Sequence, residues 1–240
     1  MPRVARVVPI PRRHEAHGVR RYGFQGLSCA FLVDQLERIA GMPAARVRVV
    51  LAHLGGGVSV TAVLGGKSVD TSMGLTPASG LPMASRSGDL DPGLSWYLAR
   101  TEQMPPAKFN HMINHESGLL GMSETTGDMR ELLDKQLDDA RAAEAVALFC
   151  YLGRKTVATM AGALAGLDTL VFSGGIGEHA PEVRGRIRAP LGFLGIELDP
   201  ASNALGEALI SADSSAVAVR VIDTDEQRMI AHHVRQVLAR

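Results

Sequence analysis

The sequence has no excess of charge of either sign: Lys and Arg total 25, and Asp and Glu total 25. That balance removes the broad positive field with which a sequence-independent nucleic-acid or membrane-surface binder gathers its partner. Small molecules or protein are therefore the expected partners, with no nucleic acid and no membrane. Cysteine is almost absent. Cys29 and Cys150 sit in no paired or metal-spaced cluster, which reads as an intracellular, cytoplasmic chain free of disulfides. No apolar run approaches the roughly 18 residues that a membrane span needs. The arginine-rich opening, Met1 to Arg21, lacks the apolar core of a signal peptide and contains prolines and a glutamate, so a mature start is expected. Internal repeats, low-complexity linkers and long charge runs are also missing. With 46% of its 240 residues hydrophobic, the chain has enough apolar surface to bury at least one full core.

What is present is an alternation of strand and helix signals. Ser28 is expected to cap a helix that places Leu32, Leu36 and Ile39 on one face and ends at Gly41 and Pro43. The β-branched run from Arg46 to Ala52, the turn Gly55-Gly56-Gly57, the run Val58 to Leu64, the turn Gly65-Gly66 and the run Lys67 to Ser72 predict a three-strand antiparallel meander. Asp138 to Leu164 is an alanine-rich helical stretch closed by Gly166; a short buried strand, Thr169 to Phe172, then ends in Ser173-Gly174-Gly175. Val217 to Ile222 reads as a strand, and Thr224 with Gln227 forms a capping box for a last helix. The architecture is α/β.

Two glycine turns carry the first chemical signal. Glycine lets backbone N–H groups converge on an anion because no Cβ blocks a positive φ or the approach of phosphate. One turn is His53-Leu54-Gly55-Gly56-Gly57; the other is Gly174-Gly175-Ile176-Gly177-Glu178, ahead of a helix expected to start near Pro181. No Gly-Lys-Ser/Thr follows either, so neither is a Walker A loop, and neither fits the dinucleotide fingerprint, which needs its glycines at a strand-to-helix turn of a parallel βαβ unit. Each alone is equally compatible with a tight turn and a satisfied histidine. Separated by a long helix and a strand, the pair fits one phosphate loop and one nucleoside loop. Arg86, among the small residues of Leu81 to Pro92, offers a permanently charged fork suited to a phosphoryl group or carboxylate. The competing assignment is a clasp from Arg86 to Asp89 or Asp91. Gly127-Asp128-Met129-Arg130 reads as an ordinary helix start.

In order along the chain, Arg20-Arg21-Tyr22-Gly23-Phe24, His53-Leu54-Gly55, Val69 to Pro77, Ser85-Arg86-Ser87-Gly88-Asp89, Glu116 to Gly121 and Phe172 to Glu178 resemble the acetate kinase family and its propionate and butyrate kinase relatives. The resemblance implies an actin-like ATPase (ribonuclease H-like) fold, a mixed sheet with flanking helices. It also implies the reaction of ATP with acetate, or another short-chain carboxylate, to give ADP and acetyl phosphate. By the same resemblance His53, Leu54, Gly55, Gly56 and Gly57 form a phosphate loop, and Asp128, Met129 and Arg130 meet ribose and adenine. Gly175, Ile176, Gly177, Glu178 and His179 form the second nucleotide loop, Arg86 and Gln25 stand at the catalytic positions, and Glu226 is the Mg²⁺ ligand. A homodimer is the expected assembly.

The chain departs from that family in several places. The opening residues correspond to a point where a family member already has a whole domain behind it, so residues 1–222 are expected to form the nucleotide-binding domain of the C-terminal type. Residues 223–240 would then be a helix returning to an absent N-terminal domain, which would have carried a phosphate loop, the substrate-binding arginine and the catalytic aspartate. Gln25 replaces a histidine and can never carry charge. Cys29 replaces a second histidine and Leu27 a threonine, while Gly56 and His179 each stand where the family has asparagine. Impaired catalysis is one expectation; a nucleotide-binding module or a subunit of a split carboxylate kinase is the alternative.

Overall fold

In a computed structural model, residues 1–41, 46–225, 227, 229, 234, 235 and 238 are described. Five strands, β1 (Arg48–Leu54), β2 (Val58–Leu64), β3 (Lys67–Thr71), β4 (Thr169–Ser173) and β5 (Ala218–Val221), form one mixed sheet in the order β3-β2-β1-β4-β5. The expected meander is there: β1 and β2 pair antiparallel, as do β2 and β3. Gly65 and Gly66 make the β2–β3 turn with φ of 58° and 76°, the paired left-handed conformation that tight hairpins favour. β4 lies parallel to β1 and β5 parallel to β4.

The helices are α1 (Arg3–Arg6), α2 (Gly26–Ala40), α3 (Gly93–Thr101), α4 (Pro106–His115), α5 (Gly118–Ser123), α6 (Met129–Lys135), α7 (Ala140–Ala163), α8 (Gly174–His179), α9 (Pro181–Arg188) and α10 (Pro200–Leu205). Alternation along the strands buries both faces of the sheet. Val50, Ala52 and Leu54 of β1, with Leu170 and Phe172 of β4, meet Ala145, Val146, Phe149 and Val157 of α7. Val49 and Leu51 of β1 and Val171 of β4 face the other way, onto Phe31, Leu32 and Leu36 of α2. α7 is long because alanine costs no side-chain entropy in a helix. Its first turn is capped by the Asp139 carboxylate, which accepts from the amides of Arg141 and Ala142.

Several boundaries differ from the sequence reading, each for a local reason. α2 starts at Gly26, so Ser28 is buried inside the helix and Gln25, in the left-handed conformation at φ 60°, takes the cap position. Ile39, expected on one face with Leu32 and Leu36, is exposed while those two are buried. α7 is closed by a Schellman-type pair, Gly166 N–H to Ala161 O at 2.9 Å and Ala165 N–H to Gly162 O at 3.1 Å; the left-handed residue is Ala165, with Gly166 beyond it. Residues 174–179, read as a turn, are the helix α8. Most of 223–240 lies outside the described residues; Gln227 and Met229 are helical, and the Met229 amide donates to Asp225 O at 3.4 Å.

At the start of the parallel pair, Asp168 locks β1 to β4. Its carboxylate accepts from the Arg48 backbone N–H at 2.9 Å and from Nε at 3.0 Å, its other oxygen meets Arg48 Nη2, and its own N–H donates to Arg48 O at 3.0 Å. The Arg48 guanidinium and backbone N–H hold the Asp168 carboxyl below the usual carboxylate range. A depressed folded-state pKa contributes stability that is present above the unfolded carboxylate pKa and lost as pH falls through the folded value. Asp168→Asn should therefore lower unfolding stability at pH 7 by about 1 kcal/mol or less, because the pair is partly solvated. Urea melts from pH 7 down to pH 3 should show the difference shrinking with acid; a constant difference across that range would contradict this account.

Candidate functional site

Parallel strands leave a sheet at the same edge, and β1 and β4 do so in register, His53 opposite Ser173. Their continuations, the glycine loop Gly55–Gly57 and the start of α8, are thereby brought together. A Cβ on Gly55 would sit 3.6 Å from the Gly175 nitrogen. Gly174 has φ +73°, and a Cβ there would lie 2.7 Å from the Leu54 carbonyl oxygen, so only glycine fits the junction. His53 and Leu54 support this floor from below. The His53 ring lies 3.4 Å from Ser173 Oγ through Nδ1, and the Leu54 side chain is buried in the core.

Above the floor opens a cleft of about 590 Å³, within the usual range for small-molecule sites. Gly55, Gly56, Gly175, Ile176 and His179 line one side. Asp128, Met129, Arg130 and Leu133, from the N-terminal turn and first half of α6, line the other, with Ala84, Gly127 and Ala180 completing it. Asp128 is the cap of α6: one carboxylate oxygen accepts from the Arg130 N–H at 2.8 Å, and the other meets Arg130 Nη2 at 3.3 Å. The Arg130 backbone N–H, more than the guanidinium, holds the Asp128 carboxyl below its ordinary value. The cleft therefore has the glycine backbone of Gly55, Gly56 and Gly175 along its floor, apolar side chains from Met129, Leu133 and Ile176, and an Asp–Arg pair at its rim.

Next to the cleft, past Gly57, stand Gln25 and Arg86. A Cβ on Gly57 would lie 3.2 Å from Gln25 Nε2 and 4.0 Å from Arg86 Nη1. Arg86 makes no clasp with Asp89 or Asp91. Asp89 accepts from the Gly80 N–H at 2.9 Å and Asp91 from the Gly93 N–H at 2.6 Å. Arg86 Nη1 reaches the Pro77 carbonyl at 3.3 Å and Met83 Sδ at 3.6 Å, and no carboxylate among the described residues forms an ion pair with it. Its backbone is held by the turn Met83 N–H to Arg86 O at 2.9 Å and by the amides of Ser117, Leu119 and Leu120, which donate to Ser85, Met83 and Ala84. Gln25 is strained, with a left-handed backbone, and its Oε1 is buried without a hydrogen-bond partner.

Two residues assigned to the second loop turn away from the cleft. Gly177 backs onto Phe172. Glu178 points inward, where one carboxylate oxygen accepts from the Gly174 N–H at 2.7 Å, the Thr224 N–H at 3.0 Å and Thr224 Oγ1 at 3.2 Å. Glu178 therefore builds the junction and does not line the cleft. Ala84, Gly127, Leu133 and Ala180 were missed by sequence reasoning. Only Gly127 carried a usable signal, as a glycine beside a cap, and a Cβ there would lie 2.6 Å from the Ala84 carbonyl oxygen. Glu226, the metal assignment, lies outside the described residues. Among the described residues no group of three His, Cys, Asp or Glu side chains could hold an ion.

Comparison with known proteins gives a consistent result. A family model described as the Acetokinase family matches residues 1–232. An acetate kinase of Rhodopseudomonas palustris is 46% identical over 98% of this chain and 59% of its own length. A propionate kinase of Citrobacter rodentium is 44% identical over 97% of the chain and 58% of its own. The crystal structure of Porphyromonas gingivalis acetate kinase superposes with a TM-score of 0.95 at 37% identity, covering 99% of this chain and 61% of that one. The chain thus spans about three fifths of the length of these relatives.

The junction separates two neighbouring glycines experimentally. Gly174→Ala should destabilise the protein by about 2 kcal/mol or more, from a left-handed φ and a backbone clash together. Gly175→Ala, whose Cβ would meet nothing within 4 Å, should stay within about 1 kcal/mol of the parent. Guanidinium melts of both variants check the contrast, and equal stabilities would refute the geometry.

Proposed function

We propose, since this chain belongs to the acetokinase family, that its cleft is the nucleotide site of a carboxylate kinase converting ATP and acetate, or another short-chain carboxylate, to ADP and the acyl phosphate. The single observation supporting this reading is the meeting of both glycine segments at one edge of the sheet, with Arg86 beside them and carrying no carboxylate partner among the described residues. In the reaction a carboxylate oxygen attacks the γ-phosphorus, the bond to the bridging oxygen breaks, and ADP leaves with that electron pair. Little covalent help is needed from protein; fixed donors around the transferring phosphoryl group supply most of the rate.

The assigned roles follow from position. The backbone of Gly55–Gly57 and Gly175–Ile176 receives the phosphates. Met129, Leu133 and Ile176 give the base an apolar slot, and Asp128 with Arg130 meets ribose and base at the rim. Arg86 faces the transferring phosphoryl group, with Gln25 as a neutral donor beside it. Glu226, by the family resemblance, would be the residue to hold a magnesium ion accompanying the nucleotide, where the cation would offset phosphate charge.

The setting is taken to be cytoplasmic from the scarcity of cysteine. Self-association as a homodimer is supported by α3 and α4, in which no residue is buried and Trp96 and Tyr97 are 67% and 61% exposed. Gln25 favours a second reading, nucleotide binding without turnover, because a neutral amide stabilises less developing charge than an imidazolium would.

Three measurements test these assignments. ADP titrated calorimetrically should give saturable heat, and silence at millimolar ADP would sink the nucleotide reading. Acetyl phosphate formation from Mg-ATP and acetate should fall by at least ~10² in Arg86→Ala and rise in Gln25→His; binding with no turnover in either the parent or Gln25→His would favour the second reading. Sedimentation should show a dimer that the double variant Trp96→Ala, Tyr97→Ala shifts toward monomer; a parent that stays monomeric at high concentration would remove the assembly proposal.

A further inference from the structure

α8 is only six residues long, yet three of its residues line the cleft. A helix this short contributes almost no stability of its own, because nucleation fixes several dihedral pairs for very few hydrogen bonds. Something outside it must hold its geometry. The Glu178 carboxylate holds its start, accepting from the Gly174 N–H at 2.7 Å. Its other end is held by a residue the family resemblance did not point to, and that residue is outside the cleft.

Arg184 sits in the first turns of α9 and is 0% exposed, the largest fully buried side chain of the molecule among the described residues. The backbone reverses at Ala180, at φ −112° and ψ 80°, so the Arg184 side chain folds back under the last turn of α8. Its Nη1 donates to Gly177 O and Glu178 O, each at 2.8 Å. Nε donates to Asn203 Oδ1 at 2.9 Å and Nη2 to Asn203 O at 2.6 Å, while Asn203 Nδ2 donates to Pro181 O at 3.0 Å. No carboxylate among the described residues forms an ion pair with this buried cation. It is balanced by carbonyl oxygens, two of them at the negative end of the α8 dipole. Burial pushes the guanidinium pKa down from the usual arginine value. An ammonium in the same place could not span two helix carbonyls and an asparagine on a third element, because a lysine has a point charge where arginine has a planar fork.

We infer that Arg184 is a positioning residue for the cleft: with Asn203 as its anchor, it fixes the C-terminal end of α8 and thereby the placement of Gly175, Ile176 and His179 toward the ligand. The effect on nucleotide affinity rests on the proposed nucleotide site; the effect on α8 itself does not. Loss of the fork should loosen α8 and weaken nucleotide binding while leaving the sheet and α7 intact.

The test uses the full chain as parent, Arg184→Lys and Asn203→Ala, each checked for a cooperative thermal melt. In nucleotide-free protein, amide hydrogen exchange over residues 174–179 should be at least tenfold faster in Arg184→Lys and severalfold faster in Asn203→Ala, with β1 and α7 amides unchanged. ADP affinity by calorimetry should fall about tenfold in Arg184→Lys. If Arg184→Lys does not fold, Asn203→Ala carries the test through the same two readouts. A folded variant with parental exchange over 174–179, or with faster exchange spread evenly over the whole chain, would overturn the inference. So would an ADP affinity within twofold of a parent that binds. Faster local exchange with a parent that binds no ADP would uphold the positioning of α8 and fail the nucleotide reading instead.

Discussion

The parallel pairing of β1 and β4 is the constraint on which the site depends. Because His53 and Ser173 are register partners, Leu54 and Gly174 follow side by side, and the backbone after each strand must leave the sheet at the same edge. The Leu54 carbonyl and Gly174 approach so closely that no side chain fits between them. Open α/β sheets place ligands beyond the carboxyl ends of their parallel strands for this reason: free amides converge there while helices close off the sides. The opposite end of the pair is tied by Arg48 and Asp168, so a slip of one residue would break that clasp and turn both apolar faces of β4 the wrong way.

Much of this was legible in the sequence. β-branched runs separated by Gly65-Gly66 specify the meander locally, and alanine content specifies α7. What the sequence hid were features set by distant partners. Gly174 to His179 reads as a turn because glycine has poor helix propensity, yet it is helical because Glu178 reaches back to the Gly174 amide and Arg184 holds the far carbonyls. In the sequence a clasp from Arg86 to Asp89 or Asp91 competes with a phosphoryl-facing role, because proximity along the chain is all the sequence offers. In the fold both carboxylates are taken by glycine amides. The start of α2 was misplaced because Ser28 is a better cap by type than Gln25, whereas the chain spends a strained left-handed residue there.

The second glycine motif divides once its helical period is recognised. Gly175, Ile176 and His179 share the face toward the cleft, at spacings of one, three and four residues. Gly174, Gly177 and Glu178 share the opposite face and serve the junction: a forced glycine, a close packing against Phe172, and a carboxylate joining α8 to Thr224. A single run of six residues therefore carries two kinds of constraint, one from the ligand proposed and one from packing, and the two interleave with helical periodicity. Read as a loop, Gly175 to His179 all face the ligand; as a helix, the run turns Gly177 and Glu178 away from it.

Arginine is used in contrasting ways across this fold, and the contrast bears on Arg86. Arg21, Arg48, Arg141 and Arg186 each meet a carboxylate, and buried Arg184 is satisfied by carbonyls on three sides. Arg86 is half-buried on a backbone pinned by at least four hydrogen bonds, and its guanidinium touches one carbonyl and one thioether. Holding a cation in that state gives up stability that a neighbouring aspartate could restore, and two aspartates lie within five residues. Their diversion to the Gly80 and Gly93 amides leaves the charge uncompensated beside Gly57. Under the proposed reading that is the arrangement transition-state stabilisation requires: a fixed donor, aimed where negative charge develops, with no internal anion to be displaced first. Gln25 works against it on the same edge, since a neutral amide can fill the space but cannot share the charge.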